Sequence, residues 1–173
     1  MKWTLSILIA VSTNLVFASE CVSFIGENYC KVWENKKGDI KTIEYLQKEQ
    51  TLKSWDKMIT VKKYSDKSAL KLVLPEYVKS VNSMFAMKPE ILTADNSSHD
   101  EEVYLLMLLL SPDKSHYEYV VNRFYRDNNT VKSIFYSHKI PFKEKVDFAE
   151  VMKNKYTWLE QLRSSRIDNF IGK

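Results

Sequence analysis

Eight apolar residues stand in a row from Val103 to Leu110, closed off by Asp100-Glu101-Glu102 before them and Ser111-Pro112 after. The run is too short to cross a membrane and has no polar face, which predicts a strand buried on both sides at the centre of its sheet. Two alternating stretches follow, residues 117–126 and 131–139, around Asp127-Asn128-Asn129-Thr130. Asparagine tolerates positive φ, so these residues read as a hairpin turn. With Asn128 and Asn129 as a two-residue turn, Arg126 pairs with Val131, Tyr125 with Lys132, Val121 with Tyr136 and Tyr119 with His138. From residue 67 to 85 the apolar positions are Leu70, Val73, Leu74, Tyr77, Val78, Val81, Met84 and Phe85, the spacing of one helix face. Pro75 must kink or restart this helix, and Asp66 is placed to cap it. A second helix is predicted to start at Asp147-Phe148-Ala149-Glu150, an acidic cap with Glu three residues on. It runs through Met152, Tyr156, Leu159 and Leu162 to about residue 165.

Shorter strands are expected at residues 31–34 and 40–46, around a turn in which Gly38 can take positive φ, and at 58–64 and 88–93. Residues 51–56 read as a helical turn and 94–100 as a polar loop. Together the elements predict an α+β fold: a mostly antiparallel sheet of about five to six strands with helices packed over it. Residues 19–173 show no repeat or composition shift, so one domain is expected there.

The first 18 residues have the three parts of a secretory signal: Lys2, a mostly apolar stretch from Trp3 to Phe17, and Val16-Phe17-Ala18 before the cut. Ser6, Ser12, Thr13 and Asn14 interrupt a run already short of the roughly 20 residues a span needs. Cleavage after Ala18 is therefore expected, with no stable membrane span left and a periplasmic or secreted location. Glu20 before Cys21 argues against a lipid anchor. In an oxidising compartment the two cysteines, Cys21 and Cys30, are expected to form a disulfide; a reduced pair and a redox couple are the alternatives.

Composition narrows the function classes. The chain has 173 residues, 45% of them hydrophobic and 28% charged, the balance of a folded protein. The net charge of +4, or +3 once Lys2 leaves with the leader, is spread among local clusters such as Lys36-Lys37, Lys62-Lys63 and Asp100-Glu101-Glu102. No basic stripe tracks phosphates, so nucleic acid is not an expected partner. With three glycines in all, and no Walker loop, GxGxxG or CxxC, no cofactor or phosphate cradle is expected.

Nor do the histidines form a motif. Ser97-Ser98-His99-Asp100 has the letters of a hydrolase triad, but neighbours on one loop do not converge as triad side chains do. His99-Asp100-Glu101-Glu102 lacks a metal-ligand spacing, so no metal site is assigned and no catalytic residue named. Trp55 and Trp158 read as core residues or interface anchors. Asn96-Ser97-Ser98 and Asn128-Asn129-Thr130 match glycan acceptors that matter only in a eukaryotic secretory pathway. The distinctive surface is one hairpin face, on which Tyr119, Arg123, Tyr125, Tyr136 and His138 interleave aromatics with cations. Either this face binds a ligand or partner, or it packs under the C-terminal helix and the opposite face, with Val120, Phe124, Val131 and Phe135, is the one in solvent.

Ser54-Trp55-Asp56-Lys57-Met58-Ile59-Thr60, Tyr136-Ser137-His138-Lys139 and Trp158-Leu159 resemble, over residues 40–165, a group of small exported bacterial proteins of unknown function. They share a Trp-x-x-x-x-Thr turn entering a strand, a late Tyr-x-x-Lys strand and a Trp-bearing last helix. The order of elements is also similar to the PsbP and Mog1 type of α/β sandwich. The resemblance implies a fold and supplies no catalytic residues. The expected function is a non-enzymatic exported domain that binds a protein partner or a small envelope ligand. An envelope hydrolase whose site assembles only in three dimensions, and a structural accessory subunit, are the alternatives.

Overall fold

Two-residue turns build much of the sheet. The computed structural model describes residues 20–93, 101–142, 146–165 and 170; the expected leader at 1–18 and the expected loop carrying His99 lie outside them. Strands β1 (Cys21–Phe24) and β2 (Glu27–Lys37) are joined through Ile25 and Gly26, with φ of 53° and 74°. Positive φ at both positions matches the right-handed twist of the flanking strands. Gly38, at φ 58°, turns β2 into β3 (Ile40–Gln47). After β4 (Lys57–Tyr64) the chain forms helix α1 (Leu74–Val81), then β5 (Glu90–Thr93), β6 (Glu102–Leu110), β7 (His116–Asp127), β8 (Thr130–Pro141) and helix α2 (Ala149–Ser164). The strands form one antiparallel sheet in the order β1-β2-β3-β4-β8-β7-β6-β5.

The sheet therefore has eight strands, not the expected five to six, and it dominates a fold with two α-helices among the described residues. The strand not foreseen is β1, whose four residues are too few for alternation to register; β5 falls within the short strand expected at 88–93, and its Ile91 is 64% exposed. β6 is buried on both faces as predicted but lies second from the edge, the centre being the β4–β8 pair. Residues 51–56 are not a helical turn: Thr51 and Ser54 bridge each other through their backbones. The long first helix shrinks to the eight residues of α1 between 3-10 turns at 70–72 and 82–84. Pro75 starts it and Asp66 does not cap it.

Side chains alternate between two cores. On one face Leu105, Met107, Leu109, Val120, Phe124 and Phe135 meet Leu70 and Val73, with α1 packed above them. On the other, Leu106, Leu108, Val121, Ile134, Tyr136 and Ile140 meet Val151, Trp158 and Leu162 of α2. The result is a three-layer sandwich, helix, sheet and helix. Met152 and Tyr156, expected on the inner side of α2, are 64% and 57% exposed, because Val151, Trp158 and Leu162 point inward instead. Asp147 does hold the start of α2, its Oδ1 accepting from the Ala149 N–H at 2.8 Å. The Cys21–Cys30 disulfide closes the β1–β2 pair, where the two residues are cross-strand partners 4.0 Å apart at Cα, the close spacing of positions whose backbones are not hydrogen-bonded.

Candidate functional site

The hairpin register is the one its two-residue turn dictates: Tyr119 faces His138, Val121 faces Tyr136, Tyr125 faces Lys132 and Arg126 faces Val131. The structure places the interleaved face beneath α2. Tyr136 is fully buried with its ring 5.1 Å from that of Trp158, and the His138 ring lies 5.4 Å from Trp158. Arg123 works as a fastener. Its Nε donates to Glu102 Oε1 at 2.5 Å and its Nη1 to the carbonyls of Leu162 and Ser165 at 2.9 and 2.7 Å, so one guanidinium satisfies the carboxyl end of α2. Its plane also lies over the Tyr125 ring. The opposite hairpin face is covered by α1, so both faces carry core.

Tyr119 opens toward an apolar groove. Beside α2, a groove of about 460 Å³ runs over Leu106 and Leu108 of β6, with Tyr119 of β7 at one side and Phe148, Val151 and Met152 along the other. Register explains the floor: Glu90 of β5 is paired with Leu106, and even-numbered β6 residues all point to the α2 side. Because β5 is short and α2 turns Val151 inward, the helix does not cover the outer part of these strands. Met87 and Met152, each 64% exposed, stand at the groove's rim beside Lys88, Lys155 and Glu90. Neither lysine forms an ion pair with a described residue, although the Lys155 ammonium lies over the Tyr156 ring. Burial, then Glu90, pushes the Tyr119 hydroxyl up to about 12, so it stays a neutral donor at ordinary pH. A non-polar body can lie on the leucines while a negative end meets the lysines. Of these lining residues only Tyr119 was a binding candidate from the sequence; Leu106, Leu108 and Met152 read as core positions of a strand and a helix.

Across the N-terminal end of α2 lies a polar pocket of about 390 Å³, where His138 Nε2 stands 3.6 Å from Glu150 Oε2 and Lys57 reaches Glu27 at 3.2 Å. Burial lowers the His138 pKa, opposed by Glu150. Among the described residues the lining holds no serine, threonine or cysteine; its polar groups are His138, two lysines and three carboxylates. His116 lies elsewhere, between Ser115 Oγ at 2.8 Å and Glu118 Oε1 at 3.1 Å. The Ser115 hydroxyl donates to Asp113, whose carboxyl is held down at about 2 by Ser111 and Ser115. The Ser115 hydroxyl thus sits between a carboxylate and an imidazole, each 2.8 Å away. Among the described residues no group of three or more His, Cys, Asp or Glu is placed to hold a metal ion, and no helix is long and apolar enough to cross a membrane.

Comparison with known proteins adds a family. A model of an uncharacterised protein family matches residues 18–167. No curated protein matches the chain. Among solved structures, a mutant of the protein Mog1 shows weak similarity, at 18% identity over 79% of this chain and 93% of that one, with a TM-score of 0.42.

Proposed function

The chain belongs to the uncharacterised family whose model spans residues 18–167, and we propose that it is an exported, non-enzymatic binding protein whose groove beside α2 takes a single-chain anionic amphiphile. The three-part leader and the disulfide support export, since such bridges persist in oxidising compartments. One observation carries the ligand class: a groove of about 460 Å³ floored by Leu106, Leu108 and Val151, with Lys88 and Lys155, which form no ion pair with a described residue, at its mouth. Ligand sites combine apolar walls with a few orienting polar groups, and this one offers two cations and the Tyr119 hydroxyl.

Dodecanoate is the probe, with binding followed by isothermal titration calorimetry on the chain cut after Ala18. Saturable binding is expected, with a negative heat-capacity change from apolar burial. Met152→Glu at the exposed rim and Lys88→Ala/Lys155→Ala together each weaken it while leaving the melting temperature unchanged. Binding that survives both variants, or no binding at all, overturns the proposal. In the latter case a protein partner on the Met87 and Met152 surface becomes the better account.

A further inference from the structure

The α1 side of the sheet is covered only in part. α1 lies over β6, β7 and β8, and toward β2 a cavity of about 410 Å³ remains, on the face opposite the groove. The part of its floor on β3 and β4 includes a block of four residues set by strand register: Thr42 pairs with Lys62 and Glu44 with Thr60. The two hydroxyls therefore occupy one diagonal and the two opposite charges the other. Diagonal neighbours on a sheet are about 7–8 Å apart, so Lys62 and Glu44 attract each other across the block without ion-pair contact, and neither hydrogen-bonds a described residue. The Lys62 ammonium sits 5.2 Å from the Phe135 ring centroid and 5.9 Å from that of Tyr77, which favours a cation held in place. Trp33 of β2, paired with Glu44 and 37% exposed, forms the outer wall.

We infer that this block is a binding site for an acidic sugar, a hexuronate unit whose carboxylate meets Lys62, whose hydroxyls meet Glu44, Thr42 and Thr60, and whose C–H face lies on Trp33. The four groups of the block and Trp33 each find a complement in that one ligand class. A cation alone would suit any anion, but the carboxylate acceptor a ring's width away requires hydroxyl donors on the same molecule. The aromatic wall requires an apolar face between them. A purely aliphatic acid leaves Glu44 unused, and a neutral sugar leaves Lys62 unused.

The test is a titration of the ¹⁵N-labelled chain, cut after Ala18, with D-glucuronate and, separately, D-glucose, reading the indole N–H of Trp33 assigned through Trp33→Phe. Saturable shifts are expected with glucuronate and affinity about tenfold or more weaker with glucose, the loss of one charge-assisted contact. Lys62→Met should weaken glucuronate binding by a similar factor. Where Lys62→Met lowers the melting temperature too far for titration, Trp33→Ala on the exposed wall gives the same loss without touching the core. Equal response to both sugars, or glucuronate shifts unchanged in Lys62→Met and Trp33→Ala, overturns the inference. Dodecanoate binding in the groove is unaffected by either variant, because the sites lie on opposite faces of the sheet.

Discussion

Arg123 fastens α2 to the sheet, and replacing it by methionine isolates that role because the aliphatic stem is kept. Three charge-assisted hydrogen bonds are lost: one to Glu102 and two to the carbonyls of Leu162 and Ser165. Each is worth about 1.5–3 kcal/mol when its partners stay dry. The partners are not wholly dry, since the Arg123 and Glu102 side chains keep 14% and 18% of their exposure. Glu102 also retains the Tyr104 hydroxyl, which donates to it at 2.7 Å. Partial rehydration therefore brings the expected loss to about 3 kcal/mol, at the lower end of what breaking a buried pair costs. For a chain of this size that lowers the melting temperature by about 6–12 °C. Urea unfolding followed through tryptophan fluorescence measures it, the midpoint falling while the slope stays constant. Arg123→Lys should recover less than half, because a point charge cannot reach a carboxylate and two carbonyls in one plane. Glu102→Gln on the Arg123→Met background should cost little more, since the charge left unpaired is then gone. A loss below about 1 kcal/mol, or a lysine variant as stable as the parent, would refute the fastening role.

Two further outcomes are expected. Reducing the Cys21–Cys30 disulfide, which closes a separation of nine residues, should cost about 2.5–3 kcal/mol by the chain-entropy relation; equal urea midpoints with and without reductant would contradict this. His138 has its pKa lowered by burial against Trp158, with Glu150, Asp56 and Glu27 opposing the shift and Lys57 reinforcing it. Its contribution to stability is thus complete above the unfolded value near 6.5 and fades as pH falls through the lower folded value. His138→Gln should flatten the pH dependence of unfolding between about pH 7 and 5, and a slope unchanged in that variant would count against the burial argument.

What the sequence made legible was local. Asn128 takes φ 54° as the turn requires, and that one geometric fact fixes the whole β7–β8 register. The apolar positions from Leu70 to Phe85 all face the α1-side core, although their helix is broken into three pieces. What stayed hidden depends on partners distant in the chain. That β8 returns to pair with β4, and so displaces β6 from the centre, leaves no mark on the pattern of β6 itself. The phase of α2 escaped because Met152 and Tyr156 are apolar and near the right spacing; only the position of the sheet decides that Val151 points inward instead. Arg123 read as a surface cation because a side chain that satisfies carbonyls 39 and 42 residues away has no local signature. Lys62 read as half of a surface charge cluster, since strand register, not adjacency, sets it across from Thr42.

The strand order also sets a sequence of events for a chain delivered from its N-terminus. β1 to β4 are neighbours in space as they are in sequence, so each can add to the last as it emerges. Cys21 and Cys30 come within reach of each other before β3 exists. The next neighbour of β4 is β8, through pairs such as Tyr64 with Val131 and Lys57 with His138. The hydrogen-bonding edge of β4 therefore waits through α1, β5, β6 and β7 for the last strand. Non-local pairing of this kind is slow, and an open edge attracts other chains while it lasts. Assembly thus has a vulnerable interval in its middle, bounded by the completion of β4 and the arrival of β8, during which a holdase chaperone would find half a sheet to protect.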